Sequence, residues 1–375
     1  MMKRNILAVV IPALLATGAV NAAEVYNKDG NKLDLYGKVT AKHRFSDNNS
    51  QDNNKSYARL GFKGETQINS DLIGYGHYEA EFAGNQPEGS AVNTRSAFAG
   101  LKITDVGSID YGRNMGIAYD SLVYTKVLPE WGGDQFHSGN FLTGRSTGVL
   151  TYRNKNFFGL VDGMNFGLQY QGKNSRDTLN KRNGISTQNG EGWGTSLEYN
   201  TPIGVSVIGN YAAINRTKEQ NTYNATSNIS GQGKKAEAWG TAMKYDANNI
   251  YVAAVYSELR NASYAEGIPN SLAPNTPLTG FADKTEIFEV VAQYNFNSGL
   301  TPSLGYVQAK AKGTDTVRNE STSGYMSKYM SLGATYVFNK NFSVYSEYDI
   351  NLIKSDNALG VNDDDKVAVG ITYQF

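Results

Sequence analysis

A possible hydrolase motif is the first feature to test for chemistry. Gly144-Arg145-Ser146-Thr147-Gly148 matches the G-x-S-x-G string of a nucleophilic serine. That motif needs a strand–turn–helix context and a histidine later in the chain. All three histidines, at positions 43, 77 and 137, lie upstream, and the chain has no cysteine for a thiolate site. No histidine pair has metal-site spacing. The sequence therefore predicts no enzyme, no cofactor and no metal site.

A second group of candidate functional residues consists of lysine and arginine. These residues lie in segments in which polar and apolar residues alternate. Leu33, Leu35 and Val39 define one face of such a segment, so Lys38 lies on the opposite face. The same parity argument places Arg59 opposite Leu60 and Phe62, and Arg145 opposite Leu150 and Tyr152. The alternation around Arg95 is less regular. If the apolar faces met lipid, an arginine among them would cost about 2–4 kcal/mol, so these cations would face water.

The elements that carry these residues read as β-strands of a membrane barrel. At the carboxyl end Val367, Val369, Ile371, Tyr373 and Phe375 share one parity, and small or polar residues share the other. A terminal strand with one wholly apolar face and an aromatic last residue favours a closed barrel in lipid, where every strand is paired. A soluble sandwich could also end in a strand.

The amino-terminal residues read as a secretory signal peptide, residues 1–22. Lys3 and Arg4 precede an apolar run over 6–15, which is too short to span a bilayer as a helix, and Val20-Asn21-Ala22 offers small residues for cleavage. The whole chain has 35 basic and 35 acidic residues. Without the signal the net charge is about −2, which argues against a nucleic-acid partner.

The connections between strands alternate between short and long. Short turns are expected at 246–249, 297–299 and 339–341, and long polar loops at 172–190, 215–235, 260–284, 309–328 and 355–365. This asymmetry is typical of outer-membrane barrels, which have tight periplasmic turns and long external loops. At roughly 22 residues per strand with half its connections, residues 23–375 provide about 16 antiparallel strands in one all-β domain.

Several strings together resemble the enterobacterial general diffusion porins. They begin at Ala23-Glu-Val-Tyr-Asn-Lys-Asp-Gly30 and end at the final Tyr-Gln-Phe375, so the resemblance covers all of 23–375. Between them stand Tyr57-Ala-Arg-Leu-Gly-Phe-Lys-Gly-Glu-Thr66, Asp110-Tyr-Gly-Arg-Asn114, Leu128-Pro-Glu-Trp-Gly-Gly-Asp134, Asn156-Phe-Phe-Gly-Leu-Val-Asp-Gly163 and Lys244-Tyr-Asp-Ala-Asn-Asn-Ile-Tyr251. The resemblance implies a 16-stranded transmembrane barrel in the outer membrane. It further implies a homotrimer whose third external loop folds inward to narrow each channel.

The resemblance also implies residue roles. The inward loop lies between Arg113 and Arg145, and Glu130 and Asp134 are expected to present carboxylates to the pore. The basic side of the constriction is implied at Lys38, Arg59, Arg95 and Arg145, with Glu79 as a supporting lumen acid. Opposed charges across a narrow aqueous gap create a transverse field that screens solutes by charge and dipole. The function implied is passive passage of ions and small hydrophilic solutes.

Two positions depart from the family pattern and leave ion preference open. Lys126 stands in the loop where many members carry an acid, and Asn93 stands where some carry a lysine. Lys126 either adds positive charge to the acidic side or pairs with Glu130 or Asp134, which reduces the field.

The remaining expectations concern assembly and partners. Glu88 is expected to reach a neighbouring subunit, with Arg113 as its partner, and Phe375 to act as the assembly signal read by the barrel-assembly machinery. Small residues are expected to thin the outer face for trimer packing, or to mark β-bulges, at Gly74, Gly76, Ala80, Gly100 and Gly112. Lipopolysaccharide is a further partner, either bridged through divalent cations at 363–365 or merely adjacent to a solvated acidic turn. A substrate-specific channel, or a barrel acting mainly as adhesin or anchor, is the alternative.

Overall fold

The chain forms a closed antiparallel barrel of sixteen strands. The computed structural model describes residues 23–48, 52–133, 135–175, 184–222, 231, 233–268, 278–315, 320–359 and 361–375. Each strand pairs with its chain neighbour, and the last pairs with the first to close the barrel. The strands are β1 (Asn31–Phe45), β2 (Tyr57–Gln67), β3 (Leu72–Ala83), β4 (Asn93–Ile103), β5 (Gly107–Met115), β6 (Arg145–Asn154), β7 (Met164–Gln171), β8 (Gly192–Asn200), β9 (Val205–Asn215), β10 (Lys235–Ala247), β11 (Ile250–Arg260), β12 (Lys284–Tyr294), β13 (Leu300–Asp315), β14 (Glu320–Asn339), β15 (Phe342–Asn351) and β16 (Lys366–Gln374).

The barrel closes where three segments meet on β1. An amino-terminal strand, Ala23–Lys28, pairs with the first residues of β1, and β16 pairs with the rest from Lys38 to Phe45. Between them, the backbones of Gly37 and Phe375 exchange two hydrogen bonds of 3.0 Å. The Phe375 ring covers Gly37, where an added Cβ would lie 2.7 Å from the ring. The terminal aromatic therefore fills the space that a missing side chain leaves on β1.

The outer surface alternates as the sequence predicts. In β16, Val369, Ile371 and Tyr373 are exposed, whereas Ala368 on the other parity is buried. Exposed aromatic residues form two bands, one towards each end of the strands, with exposed aliphatic residues between them. One band contains Trp193, Trp239, Phe288 and Tyr348, and the other Tyr199, Tyr294, Phe296, Phe338, Phe342 and Tyr373. Two aromatic girdles flanking an apolar belt match the two interfaces of a bilayer.

The two barrel ends differ in connection length. Asn248 and Asn249 form the two-residue turn between β10 and β11, with φ of 55° and 64°. Positive φ at both positions is what a type I′ hairpin requires, and asparagine tolerates it. Gly299, with φ of 89°, ends the turn before β13. These turns confirm the short connections predicted at 246–249 and 297–299.

One predicted long loop is largely strand. The sequence predicts a long polar loop over 309–328, but β13 and β14 pair from Leu300–Tyr336 out to Asp315–Glu320. Alternation of small and charged residues continues through Ala309, Lys310, Ala311 and Lys312. The hairpin therefore extends beyond the neighbouring strands.

Other elements are short. The 3₁₀ turns are Ile117–Tyr119, Leu122–Tyr124 and Ile185–Thr187, and the helical segments are Asn156–Gly159 and Lys218–Thr222. Asn53–Asn54 bridges to β1, and Tyr264–Ile268 pairs with Leu278–Phe281 in a small separate hairpin. Among the described residues, no helix is long and apolar enough to cross a membrane. The same residues contain no group of three or more histidines or carboxylates arranged to hold a metal ion.

Candidate channel constriction

Residues 116–144, here called the inner loop, connect β5 to β6, within the segment predicted to leave the strand pattern. Its two ends are tied together where Gly116 N donates to Gly144 O at 2.7 Å and Ala118 N donates to Leu142 O at 3.0 Å. An added Cβ at Gly116 would lie 2.1 Å from Leu142 C, so only glycine fits this approach. The inner loop thus leaves the wall through a narrow two-stranded neck.

The first part of the inner loop is held by polar side chains on β6 to β11. Asp120 accepts two hydrogen bonds from Arg153, at 2.7 and 2.9 Å, and a third from Ser196 at 2.7 Å. Tyr124 donates to Glu198 at 2.5 Å, and Tyr251 donates to the Tyr124 carbonyl at 2.6 Å. A loop that contacts these strands and also β1 and β15 can reach all of them only from inside the closed barrel.

Two buried carboxylates hold the second part of the inner loop. Glu347 on β15 accepts hydrogen bonds from the main-chain N–H groups of Glu130, at 2.5 Å, and Trp131, at 3.3 Å. Glu289 on β12 accepts from Gly133 N at 3.0 Å and from the Thr125 hydroxyl. Main-chain donors that would be unsatisfied in a non-strand segment are thereby paired. These carboxylates shape the channel without facing its water.

Glycines on the strands leave room for the inner loop. An added Cβ at Gly194 would lie 2.6 Å from Ile117, at Gly240 2.5 Å from Ser121, at Gly305 2.7 Å from Leu128, and at Gly333 3.0 Å from Pro129. We call this surface, with Glu289 and Glu347, the loop seat. Because each glycine removes a side chain beneath the loop, the loop lies directly on the wall.

A group of arginines and glutamates lines the opposite wall. Lys38 and Arg59 stand directly across from each other on β1 and β2. Arg59 Nε lies 2.6 Å from Glu81, and Arg95 bridges Glu81, at 2.9 Å, and Glu79. The structure therefore brings together three of the predicted basic residues with the predicted acid Glu79, and adds Glu81.

The irregular alternation around Arg95 has a structural cause. Glu79 pairs with Ser96 and Ala80 with Thr94, so Arg95 is the extra residue of a β-bulge in β4. A bulge re-aims a side chain and breaks the period of two. The sequence pattern fails here because the strand itself departs from regular pairing.

Arg145 lies at the start of β6, within electrostatic range of Arg95 and Arg59. In the part of the chain that the structure describes, neither Arg145 nor Lys38 forms an ion pair with a carboxylate. Lys38 instead lies 5.6 Å from the Tyr57 ring centre, and Arg59 lies 4.6 Å from the same ring. Uncompensated positive charge is therefore present on this wall.

Glu130 occupies a different position from the one expected. Its carboxylate lies 2.9 Å from Lys42 Nζ and 2.5 Å from Arg44 Nη2, and it accepts a hydrogen bond from Tyr345 at 2.7 Å. Burial would raise the pKa of Glu130, but Arg44 and Lys42 outweigh it and hold that pKa below its ordinary value. Rather than presenting an open carboxylate to the pore, Glu130 fastens the inner loop to β1.

Lys126 is exposed on the inner loop, and its Nζ donates to the Tyr119 hydroxyl at 2.8 Å. Side chains of β1 and β15 bind the Glu130 carboxylate. Of the two acids with which Lys126 is expected to pair, this leaves Asp134. Asp134 lies outside the described residues.

Sequence reasoning missed Lys42 and Arg44, although a signal was present. Both share the parity of Lys38 on β1, so extending that alternation by four and six residues would have placed them in the lumen. What the pattern could not supply is their partner. The inner loop has no period that could place Glu130 opposite them.

The residues expected at a subunit contact behave as follows in the single chain. Glu88 is exposed, and Arg113 donates to Thr94 O and to Thr147 Oγ1, both at 2.9 Å. Gly74 and Gly76 share the outward face, but Gly100 and Gly112 pair across from Tyr75 and Phe98 on the inner face. The expectation that all five small residues thin the outer face is therefore wrong for those two. The bulge at Arg95 shifts the parity of β4 and turns Gly100 inward. On β5 the exposed Ile109 and Tyr111 take the outer face, which leaves Gly112 on the inner one.

Comparison with known proteins agrees with this architecture. The family model described as Gram-negative porin matches residues 28–375. Outer membrane porin F of Escherichia coli K12 is 53% identical and outer membrane porin PhoE of the same organism 51% identical, each over the full length of both chains. A solved structure of Salmonella typhi OmpF in complex with daunomycin superposes with a TM-score of 0.83 at 44% identity, covering 94% of this chain and all of that one. The chain belongs to the Gram-negative porin family.

Proposed function

We propose that this protein, a general diffusion porin of the outer membrane, passes ions and small hydrophilic solutes passively, and that selection occurs between the inner loop and the β1–β4 wall. The observation that carries the proposal is the loop itself. It crosses from the seat on β8–β15 to Lys42 and Arg44 on β1, so solutes must pass the charged wall beside it. No machinery for binding one solute tightly is needed for such sieving.

The proposed roles of individual residues follow from their positions. Lys38, Arg59, Arg95 and Arg145 line the basic side, Glu79 holds Arg95 in place, and Lys126 and Asp134 bring loop charges to the gap. Charges facing each other across a narrow aqueous passage order water and orient dipolar solutes. Because Glu130 is neutralised by two cations, its share of that transverse field is small.

The assembly partners are also part of the proposal. The chain is inferred to work as a homotrimer, in which Glu88 reaches the neighbouring subunit near Arg113. Residues 1–22 would direct export, and Phe375 would be read by the barrel-assembly machinery before it closes against Gly37. Outer-membrane lipopolysaccharide would surround the exposed belt of the trimer.

Planar-bilayer recording together with liposome swelling tests the proposal. Purified protein should insert as triplets of equal conductance steps and should admit isomeric hexoses at similar rates. Unboiled protein on a denaturing gel should migrate as a large species that heating converts to the monomer. Strong discrimination between isomeric sugars would instead indicate a substrate-specific channel.

A further inference from the structure

We propose that the channel prefers anions, and that Lys42 and Arg44 on β1 are the residues that set this preference. The inference rests on the proposed channel function and adds its solute class: chloride, inorganic phosphate and small carboxylates. Neither cation is among the residues to which the resemblance assigns a role, and together they change the sign of the charge that the inner loop presents at Glu130.

Glu130, Lys42 and Arg44, here called the Glu130 cluster, differ in the exposed fraction of their side chains. The Glu130 side chain is 2% exposed, whereas Lys42 and Arg44 retain 14% and 25% of their exposure. A solute passing this point therefore touches the cations and not the carboxylate. Lys42, Arg44 and Glu130 together carry one more positive than negative charge. The attachment at Glu130 therefore presents net positive charge to the passage.

Ring stacking fixes the cations in this arrangement. Arg44 lies 5.8 Å from the centre of the Trp131 ring, and Lys366 of β16 lies 5.4 Å from the same ring. Lys366 pairs at 2.9 Å with Asp349. Guanidinium–ring contacts of this kind hold a charge in place without neutralising it. Arg44 therefore keeps its positive charge available while its position is set.

The cations form a continuous series along the wall. Lys38, Lys42 and Arg44 share one face of β1, and at about 3.4 Å per residue they span roughly 20 Å of the strand. Lys38 faces Arg59 across the strand pair, and Arg145 has like-charged neighbours. Among the described residues, the cations named on this wall outnumber the carboxylates that pair with them, which are Glu79, Glu81 and Glu130. Lys126 adds another cation, so Asp134 at full charge would leave the balance positive.

This excess acts over the width of a narrow channel. The Debye length is about 10 Å at 0.1 M salt, so charges on the wall are felt by ions in the gap. A multi-site series also lets an anion pass from one cation to the next without being held at one site, as conduction requires.

Reversal potentials in a dilute KCl gradient test the inference, and a potassium phosphate gradient gives a second anion. We expect chloride and phosphate to be more permeable than potassium. Lys42→Gln combined with Arg44→Gln should lower the ratio of chloride to potassium permeability about threefold or more, because two unit charges leave the wall beside the gap. Lys28→Gln with Lys155→Gln removes the same charge at the turn end of the barrel and is the matched control.

A third variant protects the test against misfolding, because the double variant leaves Glu130 buried without its cations. Adding Glu130→Gln removes that carboxylate, and the triple variant should shift the ratio in the same direction by a smaller amount. Potassium preference in the unaltered channel, or a shift no larger than in the matched control, would overturn the inference while leaving the channel function intact. Absence of any conductance in the unaltered protein would contradict the channel function itself.

Discussion

The two walls of the channel use charged side chains in opposite ways. On the loop seat, Glu289 and Glu347 are buried and accept hydrogen bonds from the main chain of the inner loop. On the β1–β4 side, Arg59, Arg95 and Lys42 are partly exposed and line the passage. Seat charges therefore hold the loop on the wall, and we propose that the charges on the β1–β4 side select what passes it.

This difference has consequences for tolerance to change. Removing a buried carboxylate that accepts several hydrogen bonds costs about 1–3 kcal/mol for each donor that is left unpaired. A partly exposed cation that belongs to a larger group shares its effect with its neighbours. Substitutions on the seat should therefore change the size limit, and substitutions on the wall should change ion preference in graded steps.

The largest effect is expected from Glu289→Leu combined with Glu347→Leu. The main-chain N–H groups of Glu130, Trp131 and Gly133 would lose their acceptors, and the inner loop should detach. We expect larger solutes to enter, measured as a rise in the swelling rate with disaccharides relative to monosaccharides. Glu286→Leu on β12 is the control, since Glu286 pairs with Lys284 and Lys312 and not with the loop. An unchanged ratio in the double variant would show that other contacts suffice.

A smaller effect, on ion preference, is expected from Lys126→Asp. The change alters the charge at an exposed loop position by two units, so permeability should shift toward cations, and Lys126→Gln should give about half the shift. A unit pair at about 4 Å is worth roughly 1 kcal/mol in bulk water and several at lower effective dielectric. At 1 M salt, where the Debye length is about 3 Å, the shift should shrink. Unchanged reversal potentials in dilute salt would mean that Lys126 does not face the passage.

Arg145→Ala should shift ion preference in the same direction by less. It removes one unit from a wall that retains Lys38, Arg59 and Arg95, whose charges remain within reach of the gap. The same recordings measure it, with Lys126→Asp as the reference. If Arg145→Ala gave the larger shift, the wall would not share its charge among several residues, and Arg145 would act alone.

The sequence predicts regular features of the fold and fails where the chain is irregular. Alternation located the lumen face of Lys38 and Arg59, and asparagine at 248 and 249 predicted a tight hairpin, because both patterns follow from local backbone geometry. The bulge at Arg95 could not be predicted in this way, since an extra residue in one strand is defined by its partner strand.

The inner loop marks the other limit. The loss of alternation predicts its boundaries, and its glycines predict close turns. Its contacts could not be predicted, because Glu130 and its partners on β1 are separated by 86 to 88 residues and no local rule relates them. The expectation of an open carboxylate at Glu130 failed for this reason.

The smallest effect is expected from a titratable group at the far end of the inner loop. His137 Nε2 lies 3.2 Å from Ser327 Oγ on β14, and its carbonyl accepts from Tyr264 N at 2.9 Å. Burial lowers the pKa of His137 to about 4, compared with 6.5 for an exposed histidine. His137 therefore binds a proton more readily when the loop is detached than when it is seated. The stabilisation of the seated loop by neutral His137 is fully present above pH 6.5 and declines as the pH falls towards 4.

His137→Asn removes the titration while keeping a polar side chain next to Ser327. We expect single-channel current fluctuations in the unaltered protein to rise between pH 6.5 and 4, and the variant to show a smaller rise over the same interval. The Glu130 attachment should persist through most of this window, because the pKa of Glu130 lies below its ordinary value. The carboxylates of the seat are present in both proteins. A difference between the two proteins therefore reports the titration of His137 and not that of the carboxylates. Identical fluctuations in the two proteins would assign the pH response to those carboxylates and not to His137.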